Sequence, residues 1–184
     1  MYKIISFIGL FVVLFTGCTV KNSSSINPYI IQHHQVDKKH IKIDLVQIND
    51  ERSSKMVSTI YSSNKIKKQF PIDVNLIKWY QEAFTRELTQ LDLLDKNSPV
   101  KLTVNIKQFT ARFDKYSAKK DNLKAKLRLE LILKKGDTTS TMQINLNQTM
   151  YKVMILDAQG FENILNSILS TSVSKSVKTV LLKL

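Results

Sequence analysis

Few residues in this chain have the types and spacing that chemistry requires. Cys18 is the only cysteine, so no intramolecular disulfide can form. The three histidines lie between positions 33 and 40, and neither a cysteine nor well-spaced carboxylates accompany them to complete a metal site. Asp50 and Glu51 are neighbours in one polar loop, whereas a catalytic carboxylate pair faces a cleft. We therefore predict no catalytic residue, no metal, no cofactor and no enzymatic activity.

Cys18 directly follows an N-terminal segment with the features of an export signal. Lys3 supplies a positive charge, residues 4–15 form an apolar run, and Gly17 is a small residue at the cleavage point. The apolar run is too short for a transmembrane helix, which needs about 20 apolar residues. We predict a signal peptide over residues 1–17, cleaved between Gly17 and Cys18. The alternative is a free buried thiol beside an ordinary signal peptide.

The residues Phe15-Thr16-Gly17-Cys18 resemble the lipobox of bacterial lipoproteins. That resemblance implies that the Cys18 thiol receives diacylglycerol and that the mature protein carries acyl chains such as palmitate. Two or more acyl chains give stable membrane anchoring, because each buried methylene contributes about 0.8 kcal/mol. Thr19 stands where inner-membrane lipoproteins typically carry aspartate. For a Gram-negative source, the resemblance therefore implies attachment to the periplasmic face of the outer membrane.

The charge balance indicates anionic partners. The formal net charge is +13, and Lys3 leaves with the signal peptide, so the mature chain carries +12. In an exported protein this excess favours an anionic envelope component, such as lipid head groups, lipopolysaccharide or peptidoglycan, or an acidic protein partner. The alternative is a lysine-rich composition inherited from an AT-rich genome. Export argues against a nucleic-acid partner.

The chain divides into a tether and one domain. Residues 18–39 contain a polar run at 21–25, Pro28 and no sustained apolar period, which predicts a lipidated cysteine followed by a flexible tether. Residues 40–184 form a single predicted domain, beginning with an alternating strand over 41–48 and a short strand over 56–61. A helix then opens after Pro71, with Asp73 as its N-cap. Its apolar stripe is Ile77, Tyr80, Phe84, Leu88, Leu91 and Leu94.

The second half of the domain predicts three strands and a helix. Apolar residues alternate strictly over 100–106, 123–133 and 142–150, and Lys135-Gly136-Asp137 suits a hairpin turn. Phe109, Ala111 and Phe113 are out of phase with Ile106, which predicts a bulge. An amphipathic helix over 161–184 follows, with serine and lysine on its other face. We expect this helix to cover the sheet; a membrane-surface helix is the alternative.

This element order predicts an α+β fold, in which two helices pack on one face of an antiparallel sheet of four or five strands (β-(β)-α-β-β-β-α). The layout resembles the YajG-type family of Gram-negative outer-membrane lipoproteins, and more distantly the accessory lipoproteins of envelope lipid transporters. The matching residues are the lipobox, Asp50-Glu51-Arg52, Pro99-Val100-Lys101-Leu102 and Asn166-Ser167-Ile168-Leu169. The resemblance implies the fold and the location of this protein.

The polar face of the predicted sheet is the candidate functional surface. Alternation places basic residues of two neighbouring strands on it, namely Lys101, Lys107, Lys124, Lys126 and Arg128. A solvated face whose lysines discourage aggregation is the alternative. The face lacks the central aromatics on which RNA-binding sheets stack bases. We expect a non-catalytic interaction or scaffold module of envelope maintenance or assembly. The alternative function, an accessory lipoprotein of lipid or lipopolysaccharide transport, requires an apolar cleft or a transporter partner.

Overall fold

The computed structural model describes residues 21–32, 41–115, 122–151 and 153–184. The described residues form six strands, two α-helices and a short 3₁₀ turn at Gln159–Phe161. The strands are β1 (Asp44–Asp50), β2 (Ser58–Ser62), β3 (Lys65–Phe70), β4 (Val100–Asp114), β5 (Leu123–Lys135) and β6 (Thr138–Met150). The helices are α1 (Leu76–Gln90) and α2 (Glu162–Leu181). The predicted α+β class, with one sheet and two helices, is confirmed.

The sheet is organised around β4, in the order β3-β2-β4-β5-β6. β1 pairs in parallel with β4 along residues 101–106, and β2 pairs in parallel along residues 111–114. β1 and β2 therefore occupy the same edge of β4, one after the other. The sheet is mixed and six-stranded, where the sequence predicted four or five antiparallel strands. The chain passes through β3 and α1 between β2 and β4, and this long connection brings it back so that β4 runs parallel to β1 and β2, whereas β3 runs the opposite way.

β3 was not predicted because its residues do not alternate. Five of its six side chains are exposed, since it is an edge strand. It is joined to β2 by a tight turn in which Ser63 and Asn64 both have positive φ, at 49° and 63°. Two successive left-handed residues match the right-handed twist of the paired strands, as in type I′ hairpins.

The predicted bulge in β4 is confirmed, because the register with β5 shifts between Ile106 and Gln108. Before the shift the core-facing residues are Val100, Leu102, Val104 and Ile106; after it they are Phe109, Ala111 and Phe113. The extra residue is Lys107. The bulge therefore also reverses which residues of β4 reach the polar face, and Gln108, Thr110 and Arg112 take that face beyond it.

α1 begins later than predicted, because Asn75 is its N-cap. The Asn75 side chain accepts a hydrogen bond from the Lys78 backbone N–H at 3.2 Å. Asp73, the predicted cap, instead accepts from the Ile26 backbone N–H at 3.1 Å. The helix ends at Gln90, and Asp92 follows with a positive φ of 54°.

α2 packs against β5, β6 and α1, so it covers the sheet as predicted. The predicted polar face of this helix was placed incorrectly at two positions, since Ser172 and Ser176 are buried. Ser172 Oγ lies 2.8 Å from the hydroxyl of the buried Tyr80 on α1. Small side chains allow the two helices to approach each other there, a requirement that hydrophobic periodicity alone does not register.

Residues 21–32 are packed against the domain, whereas the sequence predicted a flexible tether over this segment. Ile26 and Tyr29 belong to the core. The hydrogen bonds that tie the segment to both helices and to the chain before α2 include Ser24 Oγ to the Ala158 carbonyl (2.7 Å), the Ser25 N–H to Glu162 (2.9 Å), Trp79 Nε1 to the Asn27 carbonyl (2.8 Å) and the Tyr29 hydroxyl to Glu87 (2.7 Å). A short segment with two apolar anchors lacks the periodicity that predicts an element, yet it buries enough surface to be held.

None of the described helices is long and apolar enough to cross a membrane.

Candidate anionic-partner surface

The basic residues of β5 form a row on the polar face of the sheet. Lys124, Lys126 and Arg128 are exposed, and the residues between them are buried on the core side. Their neighbours across β6 are Thr149, Asn147 and Asn145. The structure thus places the three side chains side by side among neutral hydrogen-bonding groups.

The other two predicted basic residues of this face are engaged by acids. Lys101 Nζ lies 2.7 Å from Asp44 of β1. Lys107 Nζ contacts Glu51, and Glu130 lies 3.2 Å away. The hydrogen bond to Glu51 is the main cause that raises the pKa of Lys107, and a hydrogen bond from Asn105 is the main cause that lowers the pKa of Glu130. The charges of Lys101 and Lys107 are therefore locally neutralised.

Arg112 joins the basic row beyond the bulge, although the sequence pattern did not predict it on this face. It is exposed and lies opposite Lys124 in the β4–β5 register. Its guanidinium carbon sits 3.9 Å above the ring of Tyr61, and Asp114 lies 3.6 Å away. The apolar alternation shifts by one residue after Ile106, and this shift could have predicted the position of Arg112, because a bulge moves it to the polar face.

We call Arg112, Lys124, Lys126 and Arg128 the basic sheet patch. A shallow depression of about 500 Å³ adjoins it, with Arg112, Lys124 and Lys126 in its lining. Within the part of the chain that the structure describes, Lys126 and Arg128 make no ion pair. Guanidinium and ammonium groups beside amides and hydroxyls can bind carboxylates or phosphates through charge-assisted hydrogen bonds.

Asp50 and Glu51 are both held in ion pairs. Arg52 binds Asp50 in a two-pronged contact, with Nε at 2.7 Å and Nη2 at 2.9 Å, and Lys55 adds a third contact at 2.7 Å. The hydrogen bond from Arg52 is the main reason that the pKa of Asp50 lies well below its usual range. Asp50 therefore acts to neutralise the largely buried Arg52, whose side chain is only 6% exposed.

Replacing Asp50 with asparagine is expected to lower the free energy of unfolding by about 3 kcal/mol, because it leaves the Arg52 charge unpaired and largely buried. Urea unfolding at neutral pH measures this. The depressed pKa means that the pair stabilises the fold at neutral pH and that this stabilisation is lost as pH falls below about 4 toward the folded-state pKa. Asp92→Asn is the matched control, because the Asp92 side chain is 87% exposed and its pair with Lys42 should contribute less than about 1 kcal/mol. Equal stability of the two variants would contradict this account of Asp50.

A second surface lies on the core side at the same end of the sheet. It is a groove of about 590 Å³ between the β2–β3 hairpin and residues 153–156. Its apolar lining includes Ile60, Phe113 and Ile155, and its basic lining consists of Lys67, Lys68 and Lys115. Met154 and Leu156 also border it and are 84% and 72% exposed. We call this feature the apolar groove.

The predicted cleavage and lipidation site, Gly17 and Cys18, and the histidines at 33–40 lie outside the described residues. Among the residues that are described, no group of three or more His, Cys, Asp and Glu side chains is arranged to hold a metal ion. The candidate functional features of the described residues are therefore a charged surface and an apolar groove.

The fold defines a class of α+β domains in which two helices cover one face of a mixed sheet. A crystal structure of an uncharacterized protein has this fold, with a TM-score of 0.54, 10% sequence identity, and coverage of 87% of this chain and 99% of its own. The crystal structure of XCC0632 from Xanthomonas campestris, a protein of the family-model DUF330, matches with a TM-score of 0.56 and 9% identity over 89% and 93% of the two chains. At such identities the likeness shows the fold alone.

Residues 28–178 match the model of the Lipoprotein_16 family, whose members are described as uncharacterized lipoproteins. The match spans most of the chain, so this protein belongs to the Lipoprotein_16 family of lipoproteins. No curated protein matches the chain.

Proposed function

We propose that this lipoprotein is a non-catalytic, membrane-anchored interaction module of the cell envelope, which docks an anionic partner on its basic sheet patch. Membership of a lipoprotein family supports the anchor. The lipobox ending at Cys18 and the residue Thr19 support attachment to the periplasmic face of the outer membrane, as in the YajG-type lipoproteins that the chain resembles. Its task would be envelope maintenance or assembly.

The observation that carries the proposal is the contrast between basic residues of one sheet face that are paired with acids and others that are not. Before the bulge, Lys101 and Lys107 are matched by acids from β1, β5 and the loop after β1. Beyond it, Lys126 and Arg128 have no acid to pair with among the described residues. A lysine-rich composition alone does not account for this difference. Uncompensated charge on one side of a rigid sheet is suited to an external anion.

The character of the patch also indicates the kind of contact it makes. Its charged groups are exposed, so they speed and orient the approach of a partner more than they add affinity, and salt should weaken them. The neighbouring β6 residues Asn145, Asn147 and Thr149 add neutral donors and acceptors. Carboxylates or phosphates displayed on an envelope component or on a protein surface fit this combination.

The test is the variant Lys124→Glu, Lys126→Glu, Arg128→Glu, which reverses the row without altering the core. Retention of the lipidated protein by envelope extracts at low salt is expected to fall at least tenfold, and retention of the parent is expected to fall as salt is raised. The control Lys135→Glu, Lys175→Glu, Lys183→Glu makes the same change of charge at exposed positions away from the patch. Equal retention of both triple variants, with unchanged thermal unfolding, would refute the proposal.

The apolar groove supports a second function, that of an accessory lipoprotein in lipid or lipopolysaccharide transport, because such a protein needs an apolar cleft. Its volume of about 590 Å³ is within the range of ligand sites, and lysines stand at its border. Mass spectrometry of the protein extracted in mild detergent tests this function. A lipid bound in stoichiometric amount would support it, and its absence would favour the docking module alone.

A further inference from the structure

The packing of residues 21–32 fixes which end of the domain lies next to the predicted lipid anchor. Cys18 and Lys21 are three residues apart, so their Cα atoms lie at most about 11 Å apart. Lys21 Nζ lies 3.2 Å from Glu162, in the first turn of α2. The Ser24 side chain is bound to the carbonyl of Ala158, just before that helix. An acylated Cys18 would therefore hold the chain around Ala158 and Glu162 close to the membrane surface.

The chain that leads into this region exposes several large apolar side chains. Tyr151, Met154 and Leu156 are 66%, 84% and 72% exposed. Leu156 is two residues from Ala158, so their Cα atoms are at most about 7 Å apart. Three large apolar groups within six residues are a cluster, whereas singly scattered ones are ordinary. Tyrosine is also a residue that favours the boundary between lipid and water.

Two of these side chains, Met154 and Leu156, border a groove whose charged lining is basic. Lys67, Lys68 and Lys115 line the apolar groove together with Met154 and Leu156, and the described residues of its lining include no acid. Exposed apolar side chains bordered by lysines are typical of protein surfaces that rest on anionic lipid, because the apolar groups enter the head-group boundary while the ammonium groups meet phosphates.

We propose that Tyr151, Met154 and Leu156, together with Lys67, Lys68 and Lys115, form a membrane-contact surface. It rests on the anionic phospholipids of the leaflet that holds the lipid anchor. The anchor and this surface then fix the orientation of the domain, which does not turn freely on a long tether. The inference relies on acylation of Cys18 but not on the docking role of the basic sheet patch.

The test uses the full, lipidated protein in vesicles of phosphatidylcholine with or without phosphatidylglycerol. Leu156→Cys supplies one free thiol for an environment-sensitive fluorophore, because the acylated Cys18 has none. Leu182→Cys is the matched control: Leu182 is 83% exposed and follows the far end of α2, a helix of 20 residues and about 30 Å. The label at position 156 is expected to shift to the blue and to be quenched by lipids that carry a quencher in their acyl chains. Solvent-like emission at both positions would overturn the proposal.

A second arm separates this surface from the basic sheet patch. Adding Lys67→Glu, Lys68→Glu, Lys115→Glu to the labelled variant is expected to reduce acyl-chain quenching at least severalfold in the vesicles with phosphatidylglycerol. Adding Lys124→Glu, Lys126→Glu, Arg128→Glu is expected to leave it unchanged. The opposite pattern would show that the polar face of the sheet contacts the lipid, which overturns the membrane-contact surface. This experiment does not test the docking proposal, which the retention assay tests separately.

Discussion

Substitution of Leu165 by aspartate is expected to abolish the stable fold. Leu165 is fully buried on α2, the helix that packs on β5 and β6. A carboxylate there has no partner and must either remain charged in an apolar setting or take up a proton, and the leucine packing is lost as well. We expect a loss of at least about 5 kcal/mol, comparable to the whole stability of many domains. Circular dichroism and urea unfolding measure the effect.

Ser172 and Ser174 of the same helix provide a matched comparison of a buried and a partly exposed position. Ser172 is fully buried against Tyr80, whereas Ser174 is partly exposed. Ser172→Asp is therefore expected to be severely destabilising, and Ser174→Asp is expected to change stability by less than about 1 kcal/mol. Similar unfolding curves for Leu165→Asp, Ser172→Asp and Ser174→Asp would mean that α2 does not cover the sheet in solution.

Replacing Cys18 with serine is expected to remove the membrane anchor completely. A hydroxyl cannot form the thioether through which diacylglycerol is attached, and Cys18 is the only thiol in the chain. Incorporation of labelled palmitate should fall to background, and the uncleaved or mislocalised protein should lose its lipid-dependent membrane attachment. Thr19→Ser is the control, because it keeps a small hydroxyl residue beside the cysteine and should preserve labelling. Unchanged palmitate incorporation in the Cys18→Ser protein would contradict the lipobox assignment.

The antiparallel part of the sheet could be predicted because its sequence carries a strong pattern. Apolar residues, mostly leucines, alternate with charged residues along β5, so the strand and its buried face follow directly from the sequence. The bulge in β4 left a visible phase change between Ile106 and Phe109. The sequence of β3 has no such pattern because both faces of this strand are largely exposed. The parallel pairing of β1 and β2 with β4 depends on the route of the chain through β3 and α1, which no local pattern encodes.

The candidate surface could be predicted only in part, because local patterns do not encode which strands pair. The row of Lys124, Lys126 and Arg128 follows from the two-residue period of one strand. The neutralisation of Lys101 and Lys107 depends on acids brought in by β1 and the loop after it, and therefore on a pairing that was not predicted. Residues 21–32 pack through hydrogen bonds and the buried Ile26 and Tyr29, whereas the sequence showed only that the segment has no sustained apolar period.

The strand pairings of this sheet differ greatly in the length of chain that they close. Asp44 and Lys101, partners in the parallel pair, are 57 residues apart, whereas Lys135 and Thr138 at the β5–β6 hairpin are three apart. Loop-closure entropy grows with the logarithm of this separation, so the first contact costs roughly 2–3 kcal/mol more than the second. The N-terminal strands, made first by the ribosome, thus depend on a strand made much later, and the entropic cost of organising the sheet falls mainly on the contacts of β1 and β2.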